Sequence, residues 1–302
     1  MHHIAFLMSI AVSVVPAQTA PLRQRIVSIT PFAIEGVIVG RASCRGSTWL
    51  LTDGPALVEI KLAGRSMAST RVRGFGRNER PWGLACLADS GLWTLADYRT
   101  LVHVSTSGEV ASRASLRQPR LNVFGIGSWL LLQRPPTTEG MSLLVSASVS
   151  DVDRAQPWPG PTAVSQASTK TDVPSGLVAC GVGHGTLMPC WISKQTSITV
   201  SDGTRARTSI VRPGFIGTNA VDPAAPVWDV AATSTSVLWI LTSTIGGSDG
   251  RRAGGRLTRS NLLGEDLGGA DLTPRARVIV SASDTAAVVL TVTGELIEVM
   301  TR

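Results

Sequence analysis

Residues 80–110, RPWGLACLADSGLWTLADYRTLVHVSTSGEV, decide the fold of the chain. Three runs of β-forming residues, at 83–87, 92–96 and 101–104, are separated by turns that contain Asp and Gly. Short apolar runs punctuated in this way predict three antiparallel strands that follow one another as a meander. Such a small sheet cannot bury both of its faces alone, so it requires neighbouring sheets.

The same unit recurs along the chain and is marked each time by a tryptophan within a short apolar run. The marked positions are Trp49, Trp93, Trp129, Trp191 and Trp239, and the apolar run 287–290 follows without a tryptophan. Most of these positions lie about 40–50 residues apart, a period that is typical of propellers and other repeat arrays. We expect the large indole rings to fill the layers between neighbouring sheets.

Six such sheets would bury all their faces and protect their edges if they packed around a common axis. We therefore predict an all-β fold, a six-bladed β-propeller, formed as a single domain by residues 18–302. Residues 25–30 are expected to form an N-terminal strand that closes the last blade beside residues 294–300. Residues 151–175 and 246–255 are predicted loop insertions, the first because QPWPGP places prolines where strand donors would be needed.

Residues 80–110 resemble one repeat of the NHL type. The elements that carry the resemblance are Pro81, Gly83, Gly91, Trp93, Asp97 and Gly108. The resemblance implies a six-bladed β-propeller. It implies no particular function, because the same fold serves enzymes, binding modules and scaffolds.

A few positions are similar to the calcium-dependent gluconolactonase and senescence-marker-like propellers. In that family a Glu before the first blade, Asn residues in middle blades and a later Asp converge on a central metal. Glu35, Asn122 and Asp229 occupy comparable places here, whereas Ser175 stands where the family carries Asn. The resemblance implies a metal-dependent hydrolase of the lactonase type with calcium in the axial tunnel. The alternative is that these are ordinary polar residues of the tunnel or loops.

Residues 1–17, MHHIAFLMSIAVSVVPA, are typical of a secretory signal peptide. The apolar core at 4–15 is too short to span a bilayer, and small residues follow at a cleavage site. We expect an exported protein, periplasmic or extracellular. A retained N-terminal anchor is the alternative.

Four cysteines in an exported chain favour disulfides. Cys180 and Cys190 flank a glycine-containing turn, so they are expected to face one another across an antiparallel pair. Cys44 and Cys86 lie at comparable places in the first two repeats, where they either pair between blades or remain as buried thiols. The chain has no Cys-x-x-Cys motif, which argues against a zinc site.

The net charge of +7 reflects 28 Lys and Arg against 21 Asp and Glu. A local basic run is formed by Arg65, Arg71, Arg73, Arg77 and Arg80. Aromatic residues are only 5% of the chain, too few to serve both the core and base stacking, so nucleic-acid binding is not expected. The run is either a solvated loop or a contact for an acidic protein or an anionic cell surface.

Trp82, Trp158 and Trp228 lie outside the repeated anchor positions. Aromatic side chains on a rigid rim are frequent hot spots for partners and ligands, and packing under loops is the alternative. We predict a monomeric propeller without a cofactor that serves as a binding or scaffolding module of the cell envelope. Its partner would be a protein or small ligand at one face, and the lactonase-type hydrolase is the alternative function.

Overall fold

The computed structural model describes residues 22–26, 32–63, 66–87, 91–126, 129–135, 143–146, 148–158, 178–183, 187–192, 197–201, 206–210, 227–233, 237–242 and 254–301. Regular structure in these ranges is β-strand, apart from the single 3-10 turn Val152–Arg154. Within them, no helix has the length and apolar character needed to cross a membrane.

The described strands form six four-stranded antiparallel units, which we number as blades 1–6. Strand β1 (Leu22–Ile26) belongs to blade 6. Blade 1 contains β2 (Ile38–Cys44), β3 (Ser47–Thr52), β4 (Ala56–Lys61) and β5 (Ser66–Arg71). Blade 2 contains β6 (Pro81–Leu87), β7 (Gly91–Ala96), β8 (Thr100–Val104) and β9 (Val110–Ser115). Blade 3 contains β10 (Asn122–Ile126), β11 (Trp129–Gln133), β12 (Leu143–Ser146) and β13 (Gln156–Trp158).

The remaining strands complete the ring. Blade 4 contains β14 (Val178–Cys180), β15 (Met188–Ile192), β16 (Ser197–Ser201) and β17 (Ala206–Ile210). Blade 5 contains β18 (Val227–Ala232), β19 (Val237–Thr242), β20 (Gly254–Asn261) and the first half of β21 (Asp266–Ala282). Blade 6 contains the second half of β21, then β22 (Ala286–Thr291), β23 (Leu296–Thr301) and β1.

The repeat at residues 80–110 is confirmed as three consecutive strands, β6 to β8. A fourth strand, β9, was not predicted. Its sequence, VASRAS, is mostly exposed at the outer edge of the blade, so it lacks the apolar run that marks the inner strands. Blade 1 shows the same contrast between β4, which is partly buried, and its outer strand β5, which is largely exposed.

Six hydrophobic clusters of buried side chains fill the six layers between neighbouring blades. Leu51 of blade 1 packs with Leu84 of blade 2 on one side. On the other side, Leu50 packs with Val278 of blade 6. Because the last blade shares a cluster with the first, apolar burial closes the ring. Each fully buried leucine of this kind contributes about 1.5–3 kcal/mol.

The N-terminal strand closes the last blade, as predicted. β1 pairs antiparallel with β23, from Leu22 opposite Thr301 to Ile26 opposite Ile297. The strand begins earlier than the predicted residue 25, and residues 27–30 lie outside the described residues. Blade 6 therefore combines both ends of the chain, so the ring is closed by hydrogen bonds between distant segments.

Four of the five tryptophan anchors are buried between blades: Trp49, Trp93, Trp191 and Trp239. Each lies opposite an alanine on the inner strand of its own blade, namely Ala42, Ala85, Ala179 and Ala231. The small partner leaves room for the indole within a layer of fixed thickness.

Blade 3 departs from this rule, and the prediction for Trp129 was wrong. Its side chain is 40% exposed at the first residue of β11. In blade 3 the aromatic residue is Phe124 on the inner strand, and it lies opposite Leu131 on the second strand. This order is the reverse of the alanine and tryptophan order in the other blades. Trp158, predicted on a loop insertion, is 5% exposed in the cluster between blades 3 and 4. Its ring meets Trp129 edge to face at 6.4 Å.

The predicted insertion at 151–175 is partly an ordinary blade element. Residues 156–158 form β13, the outer strand of blade 3, with Pro157 opposite Leu144. Proline is tolerated there because an edge strand needs ladder donors on one side only. Residues 159–175 and 246–253, together with the predicted signal peptide at 1–17, lie outside the described residues, whereas Gly254 begins β20.

Both cysteine pairs form disulfides. Cys180 and Cys190 lie directly opposite one another on β14 and β15, with a Cα–Cα distance of 4.1 Å. Cys44 and Cys86 join the final residues of β2 to those of β6, with a Cα–Cα distance of 5.8 Å. The second bond therefore links blade 1 to blade 2, and the alternative of two buried thiols is wrong.

Candidate functional site

The first strand of each blade lies nearest the axis, and these inner strands run in the same direction. Direct parallel bridges join Phe124 to Leu84 and Val182 to Ala231 across neighbouring blades. We call the end at which the inner strands begin the upper face and the opposite end the lower face. The connections between blades and the turns after each second strand lie at the upper face, so residues distant in sequence meet there.

A buried ion pair ties three blades together near the axis. Arg41 of blade 1 donates to the two carboxylate oxygens of Asp229 in blade 5 at 2.5 and 2.9 Å. The same guanidinium donates to the carbonyl of Ile279 in blade 6 at 2.5 Å. Asp229 also accepts from the backbone N–H groups of Ile279 and Val230 at 2.6 and 2.9 Å. The two side chains are 9% and 7% exposed, so the pair is largely desolvated.

This arrangement does not fit the calcium site implied by the resemblance to gluconolactonases. Calcium takes six to eight oxygen ligands, and in Asp229 both carboxylate oxygens are already bound to Arg41 and backbone donors. The Asn122 side-chain oxygen accepts from the N–H of Val123 at 2.9 Å, and Glu35 is exposed. Within the described ranges, no group of three or more His, Cys, Asp or Glu residues is placed to hold a metal.

The inner strands of blades 1 to 3 approach one another through glycine. A Cβ added to Gly40 would lie 2.4 Å from the carbonyl carbon of Gly83. Gly83 has a φ of +68°, and an added Cβ would lie 2.1 Å from the side-chain oxygen of Asn122. The Cα atoms of β2 and β10, two blades apart, come within 8 Å. This part of the axis is therefore a packed region.

A groove of about 530 Å³ lies on the upper face between blades 1 and 2. One wall is the turn between β3 and β4, which contributes Asp53 and Pro55. The other wall is the connection from blade 1 to blade 2, residues 71–80, which carries Arg71, Arg77 and Arg80. This is the described part of the basic run identified in the sequence, apart from Arg73, which pairs loosely with Glu109 at 3.8 Å.

The carboxylates of the groove accept hydrogen bonds from within the protein, and one of them, Glu79, is also paired with a cation. Glu79 receives two hydrogen bonds from Arg113, at 2.7 and 2.8 Å, and one from the N–H of Gly76 at 2.7 Å. The hydrogen bond from Arg113 holds the pKa of Glu79 below its usual value, against a smaller opposing effect of burial. Asp53 accepts from the N–H of Val37 at 2.8 Å.

The arginines of the groove have no such partners among the described residues. Arg71, Arg77 and Arg80 are exposed, and none of them makes a side-chain hydrogen bond or ion pair with another described residue. With Glu79 paired to Arg113, three guanidinium groups face the single charge of Asp53, so the groove has a positive potential toward solvent.

Backbone hydrogen bonds fix the basic wall to its surroundings. The N–H of Arg73 donates to Gly108 at 2.7 Å, and the N–H of Val110 donates back to Arg73 at 3.0 Å. The N–H of Val72 donates to Pro55 at 2.8 Å, which joins the two walls. A wall held in this way is pre-organised, so less conformational entropy is lost when a ligand binds.

Of the three tryptophans predicted to form a binding rim, Trp82 and Trp228 each lie near the start of an inner strand at the upper face, in blades 2 and 5, whereas Trp158 is buried between blades. Trp82 is half-buried at the upper face, where its ring stacks with Tyr98 at 6.5 Å and an interplanar angle of 17°. Trp228 is half-buried and donates its indole N–H to the carbonyl of Arg277 at 2.9 Å. Trp158 belongs to the core between blades 3 and 4. Only Trp82 therefore adjoins the basic groove, through the consecutive residues Arg80 and Pro81.

Sequence patterns did not identify Tyr98 as a site residue. It is 43% exposed in the turn between β7 and β8 and has a φ of +58°. A positive φ is unusual for a non-glycine residue, and this backbone conformation of Tyr98 cannot be predicted from the sequence alone.

No protein-family model matches the chain, and no curated protein sequence matches it. Among solved structures, the chain is similar to YCF48 from Cyanidioschyzon merolae, with a TM-score of 0.50 and 15% identity over 92% of this chain and 98% of that one. It also matches the H270A virginiamycin B lyase from Staphylococcus aureus, with a TM-score of 0.48 and 10% identity over 93% and 100% of the two chains. The first likeness shows the fold, a β-propeller. The NHL type of repeat stays a prediction.

Proposed function

We propose that the chain is a binding module whose upper-face groove receives an acidic segment of a protein partner. The observation that supports this most strongly is the imbalance of charge in the groove. Glu79 is paired with Arg113 and Asp53 accepts a backbone hydrogen bond, whereas Arg71, Arg77 and Arg80 make no side-chain hydrogen bond or ion pair with another described residue.

The chemistry of the groove suits carboxylate side chains. A guanidinium group offers a planar set of donors that matches a carboxylate in a bidentate geometry. A groove of about 530 Å³ has the size of a site for a few side chains. The neighbouring Trp82 and Tyr98 would add an aromatic anchor, since Trp, Tyr and Arg are the residues most enriched in binding hot spots.

The compartment forms part of the proposal. The two disulfides are typical of proteins that fold in an oxidising environment. Together with the predicted signal peptide at 1–17, they support export, with a partner at the cell envelope. The propeller would act there as a monomer, since its ring is closed within one chain.

A fluorescence-anisotropy titration with fluorescein-labelled hexaglutamate tests the groove. Replacing Arg71, Arg77 and Arg80 with Gln should weaken binding about tenfold, since each exposed charge pair contributes about 0.2–1 kcal/mol. Wild-type binding should also weaken as salt increases.

A matched control removes the same charge elsewhere, through a triple Gln substitution of exposed arginines on β1 and the lower-face turn: Arg23, Arg25 and Arg45. This control should bind hexaglutamate nearly as well as the wild type. Equal weakening in both triple variants would show that only net charge matters, and the groove would not be a site.

A further inference from the structure

Arg120 is a buried cation that has no carboxylate partner of its own among the described residues. It is 3% exposed, and it lies in the connection between blades 2 and 3. Its Nη1 donates to the carbonyl of Pro119 at 3.0 Å, while its Nε has no hydrogen-bond partner. Burial of a charged group is costly unless the group is paired and hydrogen-bonded. The buried guanidinium of Arg120 therefore lacks a hydrogen-bond acceptor for its Nε.

The neighbouring charges also affect the cost of burying the Arg120 cation. Burial lowers the pKa of Arg120, the second guanidinium of Arg134 lowers it further, and Asp153 acts in the opposite direction. Asp153 is itself held by Arg117, through its backbone N–H at 3.1 Å and its guanidinium at 3.6 Å. Arg134 makes no side-chain hydrogen bond or ion pair with the other described residues.

Backbone contacts hold the two arginines beside an aromatic pair. The N–H of Arg120 donates to the carbonyl of Tyr98 at 2.7 Å. The next N–H, of Leu121, donates to Gln133 at 2.8 Å, and Arg134 follows directly in the chain. Tyr98 in turn stacks with Trp82. These backbone contacts place Arg120 and Arg134 close to the turn that carries Tyr98, at the upper face between blades 2 and 3 and on the other side of blade 2 from the basic groove.

We propose that this cluster of Arg120, Arg134, Trp82 and Tyr98 is an oxyanion cleft that binds a carboxylate or phosphate group carried on an aromatic or apolar body. The oxyanion would supply the acceptor that the buried guanidinium lacks, and the two arginines would share its charge. The body of the ligand would pack against the exposed Tyr98 ring. Carboxylate and phosphate share this chemistry, because both present two oxygens that match the guanidinium fork.

The cleft does not depend on the proposed function of the groove, and separate probes distinguish the two. The probes are benzoate, phenyl phosphate and the neutral benzyl alcohol, used at constant ionic strength in ligand-observed NMR titrations of the full chain. Benzoate or phenyl phosphate should bind at least fivefold more tightly than benzyl alcohol. Whichever oxyanion binds better identifies the natural source as carboxylate or phosphate, and either result supports the cleft.

Two variants separate a binding role from a packing role. Arg134 is half-buried and supports no backbone contact through its side chain, so Arg134→Gln should fold normally and weaken oxyanion binding at least fivefold. Arg45→Gln, at the lower face, removes the same charge and should change binding less than twofold. The triple Gln variant of Arg71, Arg77 and Arg80 should keep oxyanion binding.

The inference would be overturned if neither oxyanion bound, or if benzyl alcohol bound as tightly as benzoate. It would also be overturned if Arg134→Gln bound both oxyanions like the wild type. Loss of hexaglutamate binding alone would count against the groove and leave the cleft intact.

Discussion

Replacing Arg41 with Ala should destabilise the ring more than any exposed arginine substitution. The change leaves the carboxylate of Asp229 buried without its cation, and breaking a buried pair in this way costs about 3–5 kcal/mol. For a domain of this size, 1 kcal/mol corresponds to a shift in Tm of about 2–4 °C. The expected decrease in Tm is therefore about 6–20 °C.

The size of the effect follows from what Asp229 can still contact. It keeps the N–H groups of Ile279 and Val230, which hold the carboxylate in place and prevent it from turning toward water. Adding Asp229→Asn to Arg41→Ala removes the charge, while the amide oxygen can still accept from one of these two donors. The double variant should therefore regain at least about 1 kcal/mol relative to Arg41→Ala alone.

Denaturant unfolding of the oxidised protein, followed by tryptophan fluorescence, measures these free energies. Arg45→Ala, at an exposed lower-face turn, is the control and should change stability by less than about 0.5 kcal/mol. A loss below about 1 kcal/mol for Arg41→Ala would refute the reasoning. So would a further loss when Asp229→Asn is added.

Other substitutions test the packing, the disulfides and the groove. Gly83→Ala should cost at least about 2 kcal/mol in denaturant unfolding, because φ is +68° and the new Cβ would lie 2.1 Å from an Asn122 oxygen; a neutral effect would contradict the packed axis. Replacing Cys44 and Cys86 with Ser should cost about 4 kcal/mol, against about 3 for the blade 4 disulfide, since the chain separations are 42 and 10 residues; the reverse order would contradict the loop-entropy argument. The lowered pKa of Glu79 implies a stabilising contribution that is present above pH 4.5 and lost as the pH falls further; acid titrations of Glu79→Gln should lack this component, and an unchanged pH dependence would argue against it.

The sheet architecture was predictable because its signals are local. Apolar runs and turn residues give the inner strands, and recurrent tryptophans give the period. In the structure these buried tryptophans lie opposite an alanine of the inner strand, as in the pairs Trp93 with Ala85 and Trp239 with Ala231. The outer strand β9 escaped prediction because exposed edge strands need no apolar pattern.

The sequence could not show that Trp158, and not Trp129, is the tryptophan buried in the layer between blades 3 and 4. Trp129 falls near the expected period, but the layer beside it is filled by Phe124 and by a tryptophan from the outer strand β13. The choice between two large side chains depends on how much space three-dimensional packing leaves. Local periodicity does not contain that information.

The candidate site was only partly predictable for a similar reason. The basic run was visible in the sequence, but the internal neutralisation of Glu79 by Arg113 depends on contacts between blades. Under the alternative, lactonase-type interpretation, Asp229 would lie at the axis with a metal, and its partner in the structure is Arg41, 188 residues away in the chain. No sequence pattern pointed to Arg120, because it differs from the exposed arginines only in being buried in the folded chain.

The most direct test of the account is a hydrogen–deuterium exchange footprint of the wild-type protein with and without hexaglutamate. Binding in the groove predicts slower exchange in peptides that cover residues 71–80, with no change at the lower-face turns 45–46 and 283–285. Slower exchange at the lower face, or no protection of residues 71–80 at saturating peptide, would contradict it.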